Sequence, residues 1–287
     1  MTEPVTDHAA TAEPGLALPK GGGAIRGIGE KFGANPVTGT GSLSIPLPVS
    51  PGRDGFGPSL GLTYDSGLGN GPFGFGWTLH LPSITRRTDR GLPQYRDAEE
   101  SDVFLLADTE DLVPVLAAET GARFEDRASA PGYVIHRYRP RLAGLFARIE
   151  RWTHLADGDV HWRSFSRDNV LTVYGRDDRS RVSDPADKRH VFSWLVAETR
   201  DDRGNGIVFD YVAENGAGVP LDQVHERNRG DRDDPARGAN RYLKRVRYAN
   251  RSTLLDDDGE RPIDLTQEAI DATVWMMEVV FDATGAG

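Results

Sequence analysis

The chain has 287 residues, no cysteine, and a formal net charge of −10 from 34 basic and 44 acidic side chains. That length admits one large β domain or two smaller ones, and the missing cysteine excludes disulfides and any thiolate nucleophile or metal ligand. The charge is modest and mixed, so it implies neither a nucleic-acid nor an anionic-membrane partner.

The first 19 residues, MTEPVTDHAATAEPGLALP, have neither a basic start nor an apolar run. They read as a disordered lead-in with no secretory signal peptide. From Lys20 to about Pro82 glycine punctuates the chain, and 18 of its 33 glycines fall before residue 81. Short alternating apolar runs lie between these glycines, which predicts strands joined by tight turns rather than a linker. Leu43, Ile45, Leu47 and Val49 form the first run, Leu60, Leu62 and Tyr64 the second, and Phe73, Phe75 and Trp77 the third. The glycines beside these aromatics permit bends and close sheet packing.

Two short strands are predicted next, Val103 to Leu106 and Leu112 to Leu116. Further candidates are YVIHRYRP, LFARIERWTHL, VHWRSF and VLTVYG, between Ala130 and Gly175. Charged, Pro-containing loops are predicted at Asp177 to Arg189 and Arg227 to Arg237. Between them HVFSWLVAETR and GIVFDYVAE flank Asp-Asp-Arg-Gly-Asn-Gly, a hairpin whose Gly204 and Asn205 are expected to supply positive φ. Arg241 to Tyr248 and Trp275 to Phe281 complete the strands, and Leu265 to Thr273 is the one predicted helix. Trp275 to Phe281 reads as a buried-type strand that needs sheet partners, so the chain is expected to be truncated relative to its natural architecture. No stretch approaches 18 consecutive apolar residues, so no membrane span is predicted.

Each motif that could carry chemistry fails on its context. Gly57-Pro58-Ser59-Leu60-Gly61 matches the nucleophile-elbow pattern, yet a turn precedes Ser59 and a strand follows it, the reverse of the strand–Ser–helix arrangement that chemistry needs. His225-Glu226 begins like a zinc-protease helix, but Arg229 stands where the second histidine belongs. His154 and His161 lie near each other in sequence but on separate strand candidates. Aligning Asp256-Asp257-Asp258-Gly259-Glu260 with a calcium loop puts Leu254 and Leu265 at its end ligands. Gly29-Glu30-Lys31 lacks the spacing of a phosphate loop. Strand alternation is expected to split the charges of RYLKRVRY between two faces, and Arg229-Gly230-Asp231 is an adhesion tripeptide only by composition. No catalytic, cofactor-binding or metal residue is assigned, and no cofactor is expected.

Four blocks carry a resemblance. They are LPKGGGAIRGIGEKFGANPVTGTG from Leu18, SPGRDGFGPSLGLTYDSGLGNGPFGFGWTLHLPSITRRTDRGLPQY from Ser50, DAEESDVFLLADTEDLVPV from Asp97, and the set VYGRDDRSRVSDP, FSWLVAETRDDRGNGIVFDY and ANRYLKRVRYANR. Together they resemble the N-terminal region of the SpvB family, which includes the B components of insecticidal toxin complexes (TcB). The resemblance implies an all-β fold of antiparallel hairpins with few or no helices, part of a Rhs-like β-shell that encloses a toxic polypeptide. It also implies partners: the rest of a full-length B protein, a C component and an A-component pore. Relatives can carry an ADP-ribosyltransferase domain whose signature includes Glu-x-Glu. That triplet is absent here, so the activity is not carried over.

The expected organisation is a lead-in over 1–19 and one β domain over 20–287. The expected function is a non-enzymatic structural module that contributes to toxin encapsulation and delivery. Export would follow a signal-peptide-independent route after assembly in the bacterial cytoplasm. Two alternatives stay open: a serine hydrolase around Ser59, and a stand-alone host-surface binding module using exposed aromatics or the Arg229–Asp231 loop.

Overall fold

The computed structural model describes residues 31–35, 39–107, 110–141, 146–215, 219–227 and 229–282. The glycine-punctuated segment forms β1 (Lys31–Asn35), β2 (Thr40–Pro46), β3 (Gly61–Asp65), a two-residue pair β4 (Asn70–Gly71) and β5 (Gly74–Phe75), and β6 (Trp77–Leu79). β1, β2, β3 and β6 pair in that order as an antiparallel sheet. Register places Leu43 opposite Tyr64 and Ile45 opposite Leu62, and β6 continues both rows with Trp77 and Leu79. One face is therefore apolar, while Ser42, Ser44, Thr63 and Thr78 occupy the other.

The third aromatic run is not one strand. Phe73 sits in a turn and packs edge-on against Phe281 at 6.0 Å, Trp77 meets Tyr64 at 5.4 Å, and Phe75 is 66% exposed. Gly76 is what lets the chain double back. Its φ is +78°, and a Cβ there would lie 2.6 Å from the Tyr64 ring and 2.9 Å from the Asp65 carbonyl. Gly76→Ala is expected to cost about 2 kcal/mol from backbone strain plus displacement of Tyr64, read by urea unfolding. A cost below about 0.5 kcal/mol would show that this turn rearranges freely.

The remaining strands are β7 (Ser83–Arg86), β8 (Phe104–Leu106), β9 (Glu110–Pro114), β10 (Glu125–Asp126), β11 (Tyr133–Pro140), β12 (Phe146–His154), β13 (Val160–Ser166), β14 (Leu171–Tyr174), β15 (Arg181–Ser183), β16 (Val191–Arg200), β17 (Gly206–Ala213), β18 (Arg241–Asn250) and β19 (Trp275–Val280). Helix α1 (Gln267–Ala272) precedes β19, and the Thr266 hydroxyl caps it by accepting from the Ala269 amide at 3.2 Å. The ladders run β7–β8–β9–β11–β12–β13–β14–β16 and return to β7, which closes an eight-stranded barrel. Such a barrel has an interior just wide enough for side chains to fill.

Register fixes what fills it. Ile84 lies opposite Leu106, Phe104 opposite Leu112, Tyr138 opposite Ile149, Trp162 opposite Tyr174, and Trp194 opposite Ile84. All are buried, and Phe104, Tyr138 and Trp194 surround the indole of Trp162 at centroid distances of 4.9, 4.9 and 6.0 Å.

β16 belongs to two structures at once. One edge pairs with β7 near its start and with β17 near its end; the other pairs with β15 and then β14. A bulge opposite Val173 and Tyr174 reverses its parity, so Val196 points inward while Glu198 points out. From β17 the sheet continues through β18 to β19 as a three-stranded arm. One arm face packs Val208 under Leu254, Leu265 and Ile270. The other carries Val246 and Tyr248 against Val49 and Phe56, and the Tyr248 hydroxyl donates to the Ser50 carbonyl at 2.9 Å.

The all-β expectation holds, with α1 the single α-helix among the described residues. The predicted Asp177-to-Arg189 loop contains β15, and Ser83–Arg86 forms β7, both unforeseen. In the β16–β17 turn Gly204 takes φ +77°, whereas Asn205 does not have positive φ. Asn205 instead donates through its amide and its side chain to the Asp201 carboxylate at 2.8 and 2.6 Å.

Candidate functional site

Ser59 is exposed on an irregular stretch that leads directly into β3, so no helix N-terminus activates it. The side chain of His225 lies outside the described residues, but Arg229 is committed to Glu214 at 2.6 Å and Glu226 at 3.5 Å. That pairing also occupies the cation of the Arg229–Asp231 tripeptide, whose turn is tied by Arg237 donating to the Asp231 carbonyl at 3.0 Å. The Asp256 carboxylate accepts from the amides of Asp258 and Glu260 at 3.1 and 2.8 Å, so it caps its own turn. Gly29 and Glu30 lie outside the described residues.

In the basic run of β18, Arg245 and Arg247 share one face, as alternation requires, and converge on Asp210, at 3.0 and 2.9 Å. A bulge between Leu243 and Arg245 reverses the parity beyond it and turns Leu243 to the core face with Val246. His154 and His161 do come together, flanking the Tyr133 ring at 5.2 and 5.8 Å. Each is otherwise engaged: His154 with Asp157 at 2.7 Å, and His161 accepting at Nε2 from Arg163 Nε at 3.0 Å. Among the described residues no group of three His, Asp or Glu side chains is placed to hold a metal.

Two adjoining clefts lie outside the barrel, beside α1, with volumes of about 380 and 280 Å³. Glu198, re-aimed by the bulge, meets Arg200 at 3.0 Å and Arg176 at 3.1 Å. Arg163 stacks on Trp152 at 3.6 Å and pairs with Asp264, while Arg181 pairs with Asp159. Gln267 accepts from Arg179 at 2.6 Å and Arg176 at 3.3 Å. Each carboxylate here is matched to a guanidinium. The arrangement clamps α1 and the preceding segment onto the barrel wall, and it leaves no free acid–base pair.

His161 makes this clamp sensitive to acid. Burial, reinforced by the charges of Arg163 and Arg181, holds its pKa well below the ordinary 6.5. The unfolded chain therefore takes up a proton near pH 6.5 while the folded chain does not. Stability is complete above that pH and falls as the pH drops below it. His136 is shifted in the same direction, chiefly by burial. His161→Gln is expected to flatten the loss between about pH 6.5 and 5, measured as urea midpoints. An unchanged slope would remove His161 as its source.

The remaining candidate is an edge. β19 pairs with β18 on one side, and among the described residues its other side has no partner strand. Met276 and Val280 are 65% and 52% exposed beside that edge. Edge strands of soluble sheets are ordinarily short, charged or covered. Its apolar alternation could be read from WMMEVV; which residues would face outward could not, because that depends on how α1 and β18 pack.

The profile of the family described as Salmonella virulence plasmid 65kDa B protein (SpvB) matches residues 35–285. The mono(ADP-ribosyl)transferase SpvB of Salmonella typhimurium is 37% identical over 271 residues, which is 92% of this chain and 42% of that protein. The Salmonella dublin protein matches to the same extent. The chain thus spans under half the length of these relatives. Among solved structures, the N-terminal domain of effector protein SpvB from Salmonella typhimurium strain LT2 superposes with a TM-score of 0.69 at 37% identity. That match covers 83% of this chain and 71% of the other. The TcdB2-TccC3 crystal structure gives a TM-score of 0.68 at 32% identity, over 94% of this chain and 12% of that one. A Photorhabdus luminescens Tc holotoxin pore structure gives 0.70 at 32%, with the same coverage.

Proposed function

Because the chain belongs to the Salmonella virulence plasmid 65kDa B protein (SpvB) family, we propose that it is a structural module of a shell that encloses a toxic polypeptide and helps deliver it. The observation that carries this reading is the likeness to TcdB2-TccC3 over 94% of the chain. The match to the transferase coincides with the N-terminal domain solved separately for SpvB, and the described residues hold no paired catalytic set. A wall works by area and closure, and a filled barrel with an ion-clamped exterior supplies rigidity.

In this reading β19 is the joint. Its free edge and the exposed Met276 and Val280 receive the next strand of a larger sheet. The assembly partners would be the rest of a full-length B protein, a C component, and an A-component pore. Export would occur without a signal peptide, after assembly in the bacterial cytoplasm.

The test is to express the full-length gene product with its C partner and image the particle. Residues 20–280 are expected in the shell wall; finding them outside any wall would overturn the reading. A second measurement isolates the joint. Met276→Lys with Val280→Lys is expected to keep the stability of this chain within about 0.5 kcal/mol, as surface changes do, while lowering the yield of assembled particle. Equal yield would exclude β19 as the joint.

A further inference from the structure

The barrel interior changes character at one mouth. Arg86 continues the inward row of Ile84, and Arg151 lies opposite the inward Trp162 and also opposite His136. The segment over residues 87–103 crosses this mouth. Asp97 accepts from Arg86 at 2.5 and 3.0 Å and from Arg151 at 2.7 Å, while Asp102 accepts from Arg86 at 2.8 Å. Arg123 reaches in over the Tyr138 ring at 5.0 Å and pairs with Glu100 at 2.7 Å.

This polar plug is short of acceptors. Among the described residues, Arg151 Nε and both Nε and Nη2 of Arg123 are shielded from solvent with no hydrogen-bond partner. The Arg151 side chain is 94% buried, so water outside the barrel does not serve it. The indole Nε1 of Trp162, opposite Arg151, is likewise without an acceptor. Leaving buried donors unpaired costs about 1–3 kcal/mol each. The guanidiniums of Arg86, Arg123 and Arg151 face the buried carboxylate of Asp102, the partly exposed Asp97 and the half-exposed Glu100. Burial and the Arg151 charge both disfavour the charged form of Arg123.

We propose that the barrel mouth binds one small monovalent anion of the halide class, held by Arg123 and Arg151 beneath the 87–103 segment. A halide accepts hydrogen bonds without donating any, which answers a deficit in which the unpartnered donors of Arg123, Arg151 and Trp162 outnumber one unpartnered acceptor, His136 Nδ1. A water in the same place would bring two further donors, and the lone pair of His136 Nδ1 would answer one of them. His136 stands beside the site. Its Nε2 lies 3.4 Å from Glu125, so in the neutral ring Nδ1 carries the lone pair, and the two arginines are the primary ligands.

Thermal and urea unfolding of the full chain in sodium bromide, with sodium gluconate keeping the ionic strength constant, tests the site. Above its dissociation constant, each tenfold rise in bromide is expected to multiply the folding constant by about ten. Crystals grown in bromide are expected to show an anomalous peak between Arg123 and Arg151. Arg123→Gln, at the less buried ligand, is expected to fold and to lose the bromide dependence. Equal stability in bromide and gluconate would overturn the proposal, as would an Arg123→Gln variant that keeps the full dependence. Two crystallographic results would also overturn it: a water at the mouth with bromide elsewhere, or a peak there with no effect on stability, which is an adventitious ion only.

Discussion

Replacing Trp162 with alanine is expected to lower the unfolding free energy by about 3–5 kcal/mol. The indole is fully buried at the centre of the barrel, walled by Phe104, Tyr138 and Trp194. Those neighbours stand on strands hydrogen-bonded into a closed circuit, so they cannot move inward to fill the space. The loss therefore includes both the transfer of the ring to water and an unrelaxed cavity. Urea unfolding followed by far-UV dichroism measures it without relying on tryptophan emission. Trp162→Phe is expected to retain more of the stability than alanine does. A Trp162→Ala variant within about 1 kcal/mol of the parent would mean that the barrel is not packed around this ring.

The second large effect is expected at Arg86. Its side chain is almost wholly buried, donates through Nε to the Val191 carbonyl at 2.7 Å, and serves both Asp97 and Asp102. The guanidinium also lies over Tyr95, Phe104 and Trp194, between 4.8 and 5.3 Å from each ring centroid. Arg86→Met keeps the apolar stem and removes the cation, leaving Asp102 with only backbone donors in a buried setting. The expected cost is about 3–5 kcal/mol, the range for breaking one half of a buried pair. Adding Asp97→Asn and Asp102→Asn is expected to recover part of it. Burial pushes the Asp97 pKa up, but the hydrogen bond from Arg86 and the charges of Arg151 and Arg86 outweigh it and hold it below the ordinary 3.8. That contribution is present above pH 3.8 and is lost as the pH falls through the lower folded value. The local readout is trypsin. Arg87, Arg90 and Arg96 lie in the segment that Arg86 pins, and cleavage there is expected to accelerate in Arg86→Met but not in a control at the exposed Arg127. Unchanged cleavage would show that the 87–103 segment is held by other contacts.

The parts of this fold legible in the sequence are those where polarity and geometry agree. The strands β12, β13, β16, β17 and β18 alternate or run apolar over seven or more residues, and α1 has Thr266 at its N-cap. Where polar residues are buried, the pattern misleads. SITR carries no strand signal, yet all four residues of β7 are buried, because the strand lies between the β8 and β16 ladders and Arg86 has two carboxylates. The FGFGW run errs the other way: its alternation is strand-like, but Gly76 turns the chain and leaves Phe75 in solvent. Closure itself has no local signature, since it depends on β16 meeting β7 and β14. The outer cleft was hidden for a related reason. The bulge in β16 decides whether Glu198 enters the core or the cleft, and nothing in WLVAETR announces it. The candidate edge at β19 was visible as an apolar strand in want of partners.

That strand shared between barrel and arm governs the order in which the protein can be made. β7 and its partner segment in β16 are roughly a hundred residues apart in the chain, Ser83 meeting Leu195. Until β16 is made, β7 and β14 each lack the partner that closes the barrel, and unpaired edges of that kind are open to neighbouring nascent chains. Only when Arg200, the last residue of β16, has emerged can both edges be sealed, and the same strand then offers the first pairing surface to the arm. Closing the barrel and extending it outward are thus successive uses of one ten-residue segment.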